Sequence, residues 1–259
     1  MKIRILGAHN QESRDARVGG ILIDGVLALD CGALTSTLTF EEQLNLQAVL
    51  ITHHHYDHIK DAVMLGATFY NEDKQLTVYS TPSVEEALAY LFSYPGKLYT
   101  NLLEKPAGNP ALRFMTIEPL KSFGVGDYEV LAVPVNHSVP AVGFQVTAAD
   151  GKKMFYTGDT GPGLDGCWRH ISPDLLIIEN TASDRFIEEA REVKHLSPGL
   201  LKAELLGFQK IRGYLPRVIT THHFPSTRDE AERTAELERI ARELNASITA
   251  GYEGMEIEL

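Results

Sequence analysis

Cysteine is nearly absent. Cys31 and Cys167 are the only two in 259 residues, too few for a disulfide framework and not in a Cys-x-x-Cys arrangement, so they read as reduced thiols. No apolar run approaches the roughly 20 residues that a bilayer-spanning helix needs. The opening M-K-I-R-I-L-G has neither the apolar region nor the small-residue cleavage site of a signal peptide. The expected compartment is therefore the cytoplasm, with no membrane partner. Basic residues are in the minority: 24 Lys and Arg stand against 35 Asp and Glu, a formal net charge of -11. Phosphate backbones are bound largely through Lys and Arg, so this balance disfavours a broad surface for long nucleic acid and leaves room only for a local cationic pocket.

What the chain does have is apolar residues, 44% of the total, enough for a sizeable core. K-I-R-I-L and G-I-L-I-D-G-V-L-A-L-D read as strands, the latter folded at the hairpin dipeptide Asp24-Gly25. Further strands are expected over Ala48 to Thr52 and Leu76 to Tyr79, with helices over about Asp57 to Leu65 and Ser83 to Phe92. Residues 112 to 157 are strand-rich: F-M-T-I, Y-E-V-L-A-V-P-V, A-V-G-F-Q-V-T and K-M-F-Y-T, with turns at Gly124 to Asp127 and Asp150-Gly151. Strands Leu175 to Ile178 and Val218 to Thr220 then alternate with helices near Pro198 to Lys210 and Thr227 to Leu244, and Met255 to Leu259 closes as a strand. No repeat or linker stands out. The expectation is a single α/β domain over residues 1–259, with two β-rich halves and helices outside.

The densest chemistry lies in V-L-I-T-H53-H54-H55-Y56-D57-H58. A strand delivers the chain to a loop in which His53 and His55 alternate, so they can share one side of an extended segment. Imidazole suits borderline divalent ions such as zinc, and a carboxylate adds charge compensation. Four donors from so short a stretch cannot all reach one ion and leave it open to substrate, so two ions are implied. Such ions need further donors from distant strand ends. N-H137-S, T-G-D159-T and V-I-T-T-H222-H223-F supply them.

These motifs resemble the metallo-β-lactamase-fold superfamily, and the resemblance covers nearly the whole chain. It implies a four-layer αβ/βα sandwich with two metals at one rim of the sheets. By this resemblance His53, His55 and His137 hold the first ion, Asp57, His58 and His222 hold the second, and Asp159 bridges them. His223 competes with His222 for the last place; His222 is preferred because V-I-T-T-H222 matches V-L-I-T-H53 in distance from strand to ligand. His54 is left as a supporting or solvent-facing residue. True β-lactamases of this fold usually carry Cys where Asp159 stands, and the flavodiiron branch usually carries Glu at the position of His55. Both activities are disfavoured.

K-H195-L-S looks like the His-Ser-Thr motif of the phosphodiesterase branch, which includes tRNase Z and the phosphoribosyl cyclic phosphodiesterase; there the histidine faces substrate instead of binding metal. N-H137-S-V-P-A-V-G-F and G-Y-E-G-M-E-I are similar to the latter enzyme, whose cysteine-rich extra metal site has no counterpart here. The implied activity is hydrolysis of a small cyclic or linear phosphodiester by a metal-bridging hydroxide, with Asp57 and His195 as the catalytic side chains and Zn2+ favoured over Mn2+ or Fe2+. A lactone or thioester hydrolase and a tRNA 3′-end endonuclease are the alternatives, and a metal-binding protein without turnover is the non-enzymatic one. The tRNA-gripping arm that tRNase Z usually inserts between the residues matching His137 and Asp159 has no room in an interval of 22 positions. Residues 94 to 110, with Tyr94 and Tyr99, are expected to form a substrate wall. A homodimer is admitted, since dimers are common among such proteins.

Overall fold

A computed structural model describes residues 1–93 and 110–259. The chain begins with β1 (Lys2–Gly7), β2 (Gly20–Ile23) and β3 (Leu27–Leu29). Between the last two, Asp24 and Gly25 take φ of 48° and 73°, the left-handed pair that a tight I′-type hairpin turn requires. Then come β4 (Ala48–Leu50), β5 (Leu76–Ser80) and β6 (Leu112–Thr116), all parallel to β3. The second half supplies β7 (Ser122–Val125), β8 (Tyr128–Pro134), β9 (Val142–Thr147), β10 (Lys153–Tyr156), β11 (Leu175–Glu179), β12 (Arg217–Thr221) and β13 (Ile248–Ala250). The last strand, β14 (Glu256–Glu258), returns to pair antiparallel with β1.

Two seven-stranded mixed sheets result, ordered β14-β1-β2-β3-β4-β5-β6 and β13-β12-β11-β10-β9-β8-β7. Their inner faces share one core in which Ile5, Ile21, Leu29 and Leu50 of the first sheet join Val130, Phe144, Met154 and Ile177 of the second. Outside the first sheet, Leu65, Phe69, Leu88 and Phe92 of the helices Ala62–Asn71 and Pro82–Ser93 pack on Val49 and Val78. Outside the second, Trp168, Leu201, Leu205 and Phe208 pack on Leu176, Ile178 and Val218. These three apolar seams between helix, sheet, sheet and helix make the four-layer αβ/βα sandwich. Burial on both faces explains why β11, L-L-I-I-E, is apolar up to its last residue instead of alternating. Among the described residues no helix is long and apolar enough to cross a membrane.

The strands expected from the sequence are present to within a few residues. Differences lie where tertiary bonds override local pattern. The helix expected over Asp57 to Leu65 is two pieces, Tyr56–Ile59 and Ala62–Asn71. The carbonyl of His58 accepts from the amide of Cys31 (2.8 Å), and the amide of Asp61 donates to the carbonyl of Cys31 (2.9 Å), which turns the chain between them. β7 runs through Gly124, so the turn that follows it is tighter than the expected Gly124 to Asp127. Apart from Pro110, the segment expected as a substrate wall lies outside the described residues.

Candidate metal centre

The rim where strands of both sheets end collects the polar residues. β4 runs into Thr52 and His53, and extended backbone at His55 (φ -62°, ψ 146°) precedes one helical turn that brings back Asp57 and His58. β8 leads to His137, β10 to Asp159 and β12 to His222. Two backbone positions are specialised. Gly158 has φ 59°, and a Cβ there would lie 2.7 Å from Oγ1 of Thr52, so the approach of β10 to β4 requires glycine. His222 takes φ 62°, an uncommon conformation for a residue other than glycine and one that concentrates at functional sites.

Seven side chains singled out in the sequence converge. His53, His55, His137 and Asp159 form one group, and Asp57, His58, Asp159 and His222 another, with the donor atoms within each group all inside 4.8 Å of one another. Asp159 belongs to both. Its Oδ2 lies 3.1 Å from Nε2 of His222, 3.7 Å from that of His53 and 3.9 Å from that of His137, while Oδ1 is 3.1 Å from Nε2 of His58. Oδ2 of Asp57 is 3.3 Å from Nε2 of His222 and 3.4 Å from that of His58. Nε2 of His53, Nε2 of His58 and Oδ1 of Asp159 are buried without a hydrogen-bond partner. Orphaned buried polar atoms are costly, and here they face one another; divalent cations between them would satisfy all three. The donor set therefore fits a pair of metal ions.

Charge supports the same fit. Burial alone would lower the imidazole of His222, but Asp159 and Asp57 outweigh it and push its pKa up to about 10. Burial opposes charge on His58 as well, yet Asp159 and Asp30 raise it. His53 is lowered, by burial first and then by His58. Asp159, whose carboxyl burial would raise, is held down by His222 and His58. The His58 and His222 side favours positive charge, whereas burial lowers His55 and His137 as it lowers His53, which keeps these imidazoles neutral as metal donors must be.

The other histidines go elsewhere. His54 turns to a cavity of about 500 Å³ shared with Tyr56, Ser83 and Glu86. His223 is buried away from the cluster, with Nε2 3.1 Å from Oγ1 of Thr220 and its amide bonded to the carbonyl of Ala8. His195 lies on the edge of the rim, its ring stacked on His222 (centroids 5.0 Å apart, 18° between planes) and 5.2 Å from that of His137. Its Nδ1 is 2.7 Å from Oε1 of Glu179. Glu179, His195 and His222 also lie close enough to form a third donor group, but His195 and Glu179 already satisfy each other.

Two supporting carboxylates were not among the expected residues. Asp30, wholly buried after β3, accepts from the amide and hydroxyl of Thr52 (2.8 and 2.9 Å), the hydroxyl of Tyr156 (2.9 Å) and Nδ1 of His58 (2.7 Å). This fixes the ring of His58 with Nε2 toward Asp159, an arrangement of the kind by which a second residue orients a histidine that binds metal. Glu179, the buried last residue of β11, accepts from the amides of Thr160 and Leu196 and from the hydroxyl of Thr181 as well as from His195. The hydroxyl of Thr181 is also 2.9 Å from Nδ1 of His222. The signal for both was present in the sequence: each carboxylate closes an apolar run, V-L-A-L-D30 and L-L-I-I-E179, where a charge is buried only if it is bonded.

Known proteins share this framework. The chain is 27% identical over 140 residues to the ribonuclease Z of Acaryochloris marina, a match covering 49% of this chain and 40% of that protein. In sequence, the match spans less than half the length of each curated ribonuclease Z relative. Among solved structures, unliganded yeast PDE1 superposes with a TM-score of 0.82 at 17% identity, over 100% of this chain and 99% of that one. The metallo-beta-lactamase fold protein YhfI of Bacillus subtilis gives 0.78 at 17% identity, over 99% of both chains. The family model described as the beta-lactamase superfamily domain matches residues 21–223, from β2 to the histidines after β12: the chain belongs to the beta-lactamase superfamily.

Proposed function

We propose that this protein is a metal-dependent phosphodiesterase that hydrolyses a small cyclic or linear phosphodiester. The observation that carries the reading is the placement of His195, held by Glu179, against two donor groups that share Asp159. In this reading His53, His55 and His137 hold one ion, Asp57, His58 and His222 the other, and Asp159 both. Zinc suits the imidazole-rich donors, with manganese or iron as alternatives that the carboxylates admit. When bound, such ions supply Lewis-acid charge and lower the pKa of a coordinated water.

The side chains then divide the remaining work. Asp57, the more exposed carboxylate of the rim (26% against 3% for Asp159), accepts a hydrogen bond from the attacking water and orients it. Nδ1 of His195 is committed to Glu179, so Nε2 is the atom that carries a proton toward the departing oxygen, a contribution of about 10²- to 10⁴-fold in comparable sites. Burial alone would lower the imidazole of His195, but the Glu179 carboxylate raises it and favours the protonated form. A lactone or thioester hydrolase would use the same ions; the buried support given to His195 argues against a thioester, whose thiolate needs little protonation, while a lactone, which also releases an alkoxide, is separated by the substrate screen below. The shared inner core of the two sheets supports one domain over residues 1–259.

Small size of substrate is supported by the interval from His137 to Asp159, which is filled by β9, the Asp150-Gly151 turn and β10, and by the net charge of -11. The test is a substrate screen on zinc- and manganese-loaded protein: bis-nitrophenyl phosphate, small cyclic and linear diesters, a lactone and a precursor tRNA. The expected outcome is turnover of small diesters with weak salt dependence. Efficient 3′ processing of the precursor tRNA at physiological salt, with small diesters nearly untouched, would replace this reading with that of a ribonuclease Z. Lactone opening alone would move it to carbonyl chemistry.

A further inference from the structure

His195 and Thr181 belong to two places at once. Both take part in the polar rim, and both line a cavity of about 240 Å³ whose other walls include Phe186, Ala190, Val193 and Phe224. Phe186 and Phe224 are each 39% exposed and Val193 54%, so three apolar side chains open to solvent around one hollow. Its volume is below the roughly 300–1,000 Å³ typical of pockets for whole drug-sized ligands. One ring or a short branched chain is the occupant that fits.

The walls are fixed by the protein's own bonds. The amide of Phe224 donates to the carbonyl of Thr181 (2.8 Å), and the amide of Thr181 to that of Leu196 (2.9 Å). Buried Arg233 donates through Nη1 to the carbonyls of Thr181 (3.3 Å) and Phe224 (3.5 Å), and pairs with Asp229, whose Oδ1 accepts from the amide and hydroxyl of Ser183. The Thr181 and Phe224 wall is thus ordered before a ligand enters, which lessens the ordering cost on that side.

We propose that this cavity receives the alcohol that leaves during hydrolysis and selects for a flat apolar or aromatic group on it. The inference rests on the phosphodiesterase reading. Hydrolysis adds water across one P–O bond: the oxygen of water joins phosphorus, the bond to the alcohol breaks, and the alcohol departs with a proton from His195, which regains one from solvent while the water's proton passes to solvent through Asp57. The group attached to the departing oxygen therefore sits beside His195, and the cavity wall begins there. Among the described residues no lysine or arginine lines the hollow, and Glu189 does, so a second phosphate on the leaving alcohol is disfavoured and an uncharged ring is accepted.

Methyl benzyl phosphate and methyl allyl phosphate test this, because benzyl and allyl alcohol are similar in acidity and differ in what they can bury. With metal-loaded protein, kcat/KM for release of benzyl alcohol is expected to exceed that for allyl alcohol by about 10- to 100-fold, the scale of apolar pocket discrimination. Phe224→Ala and Val193→Asp, the latter at an exposed position, are each expected to bring the ratio below about a third of its starting value. Hydrolysis of both diesters at a ratio near one, or an unchanged ratio in both variants, would overturn the pocket assignment while leaving the phosphodiesterase reading in place. Hydrolysis of neither would remove both.

Discussion

Nδ1–H of His195 donates to Oε1 of Glu179 across 2.7 Å, and the acceptor has no solvent exposure at all. A wholly buried carboxylate with four donors is a rigid anchor, because every alternative arrangement leaves one of those donors unsatisfied. His195→Ala is expected to keep its metal content and to lose about 10²- to 10⁴-fold in turnover of alkyl diesters, with a smaller loss on nitrophenyl esters, whose leaving group needs little protonation. Glu179→Gln should lie between wild type and His195→Ala on the same two substrates. Equal losses on good and poor leaving groups would assign His195 to another task.

Metal content is the second outcome. Elemental analysis should find about two ions per chain, as expected for paired-ion hydrolases, and chelation should abolish hydrolysis. Asp159→Ala removes the one residue common to both donor groups and should lower the occupancy of both ions. Full activity with one ion or none would contradict the paired site.

Asp30 provides a third, since it touches no predicted substrate or ion yet orients His58. Asp30→Asn keeps the volume and suits the left-handed backbone there (φ 61°). Its NH2 group would nevertheless face a donor in either orientation: Nδ1–H of His58 and the hydroxyl of Tyr156 at one oxygen position, or the amide of Thr52 at the other. Metal affinity measured against a competing chelator should fall by about 10- to 100-fold.

The fourth is a pH dependence of stability at a carboxylate that belongs to neither donor group. Burial alone would raise the carboxyl of Glu253, but hydrogen bonds from His9 (2.5 Å) and from the amide of Arg17 (2.9 Å) outweigh it and lower its pKa. A carboxyl lowered on folding adds stability that is present above its unfolded pKa of about 4.3 and is lost as pH falls through the lower folded value. Glu253→Gln should cost about 1–3 kcal/mol near neutrality, the scale of hydrogen bonds to a charged group. Denaturant midpoints for mutant and wild type should converge as the medium is acidified.

The candidate-site residues that were legible in the sequence are those whose chemistry is local: His53, His55, Asp57 and His58 crowd one loop, and His137, Asp159 and His222 each follow an apolar run. Asp30 and Glu179 were missed because they also end apolar runs but carry no neighbouring histidine to draw notice. The short helix Phe40–Leu44 was missed although its capping box is plain in T39-F-E-E42, where Thr39 and Glu42 exchange backbone hydrogen bonds. The break at Lys60 was not readable, since it depends on bonds to Cys31, about 30 residues away in the chain. The apolar hollow beside His195 has no sequence signature; Phe186, Val193 and Phe224 meet only when the ends of β11 and β12 are side by side.

The donors on the two sides of the rim differ in how far apart they lie along the chain, and this bears on the order of assembly. His53, His55, Asp57 and His58 fall within six positions, whereas His137, Asp159 and His222 are separated from one another by 22 and 63. Closing a short loop is fast and entropically cheap; bringing together three distant strand ends must await long-range sheet pairing. An ion present during refolding would accordingly be caught first by the early stretch at low affinity, and retained only after β8, β10 and β12 had docked beside it. Release of a bound ion by a chelator would then report the last step of folding, not the first.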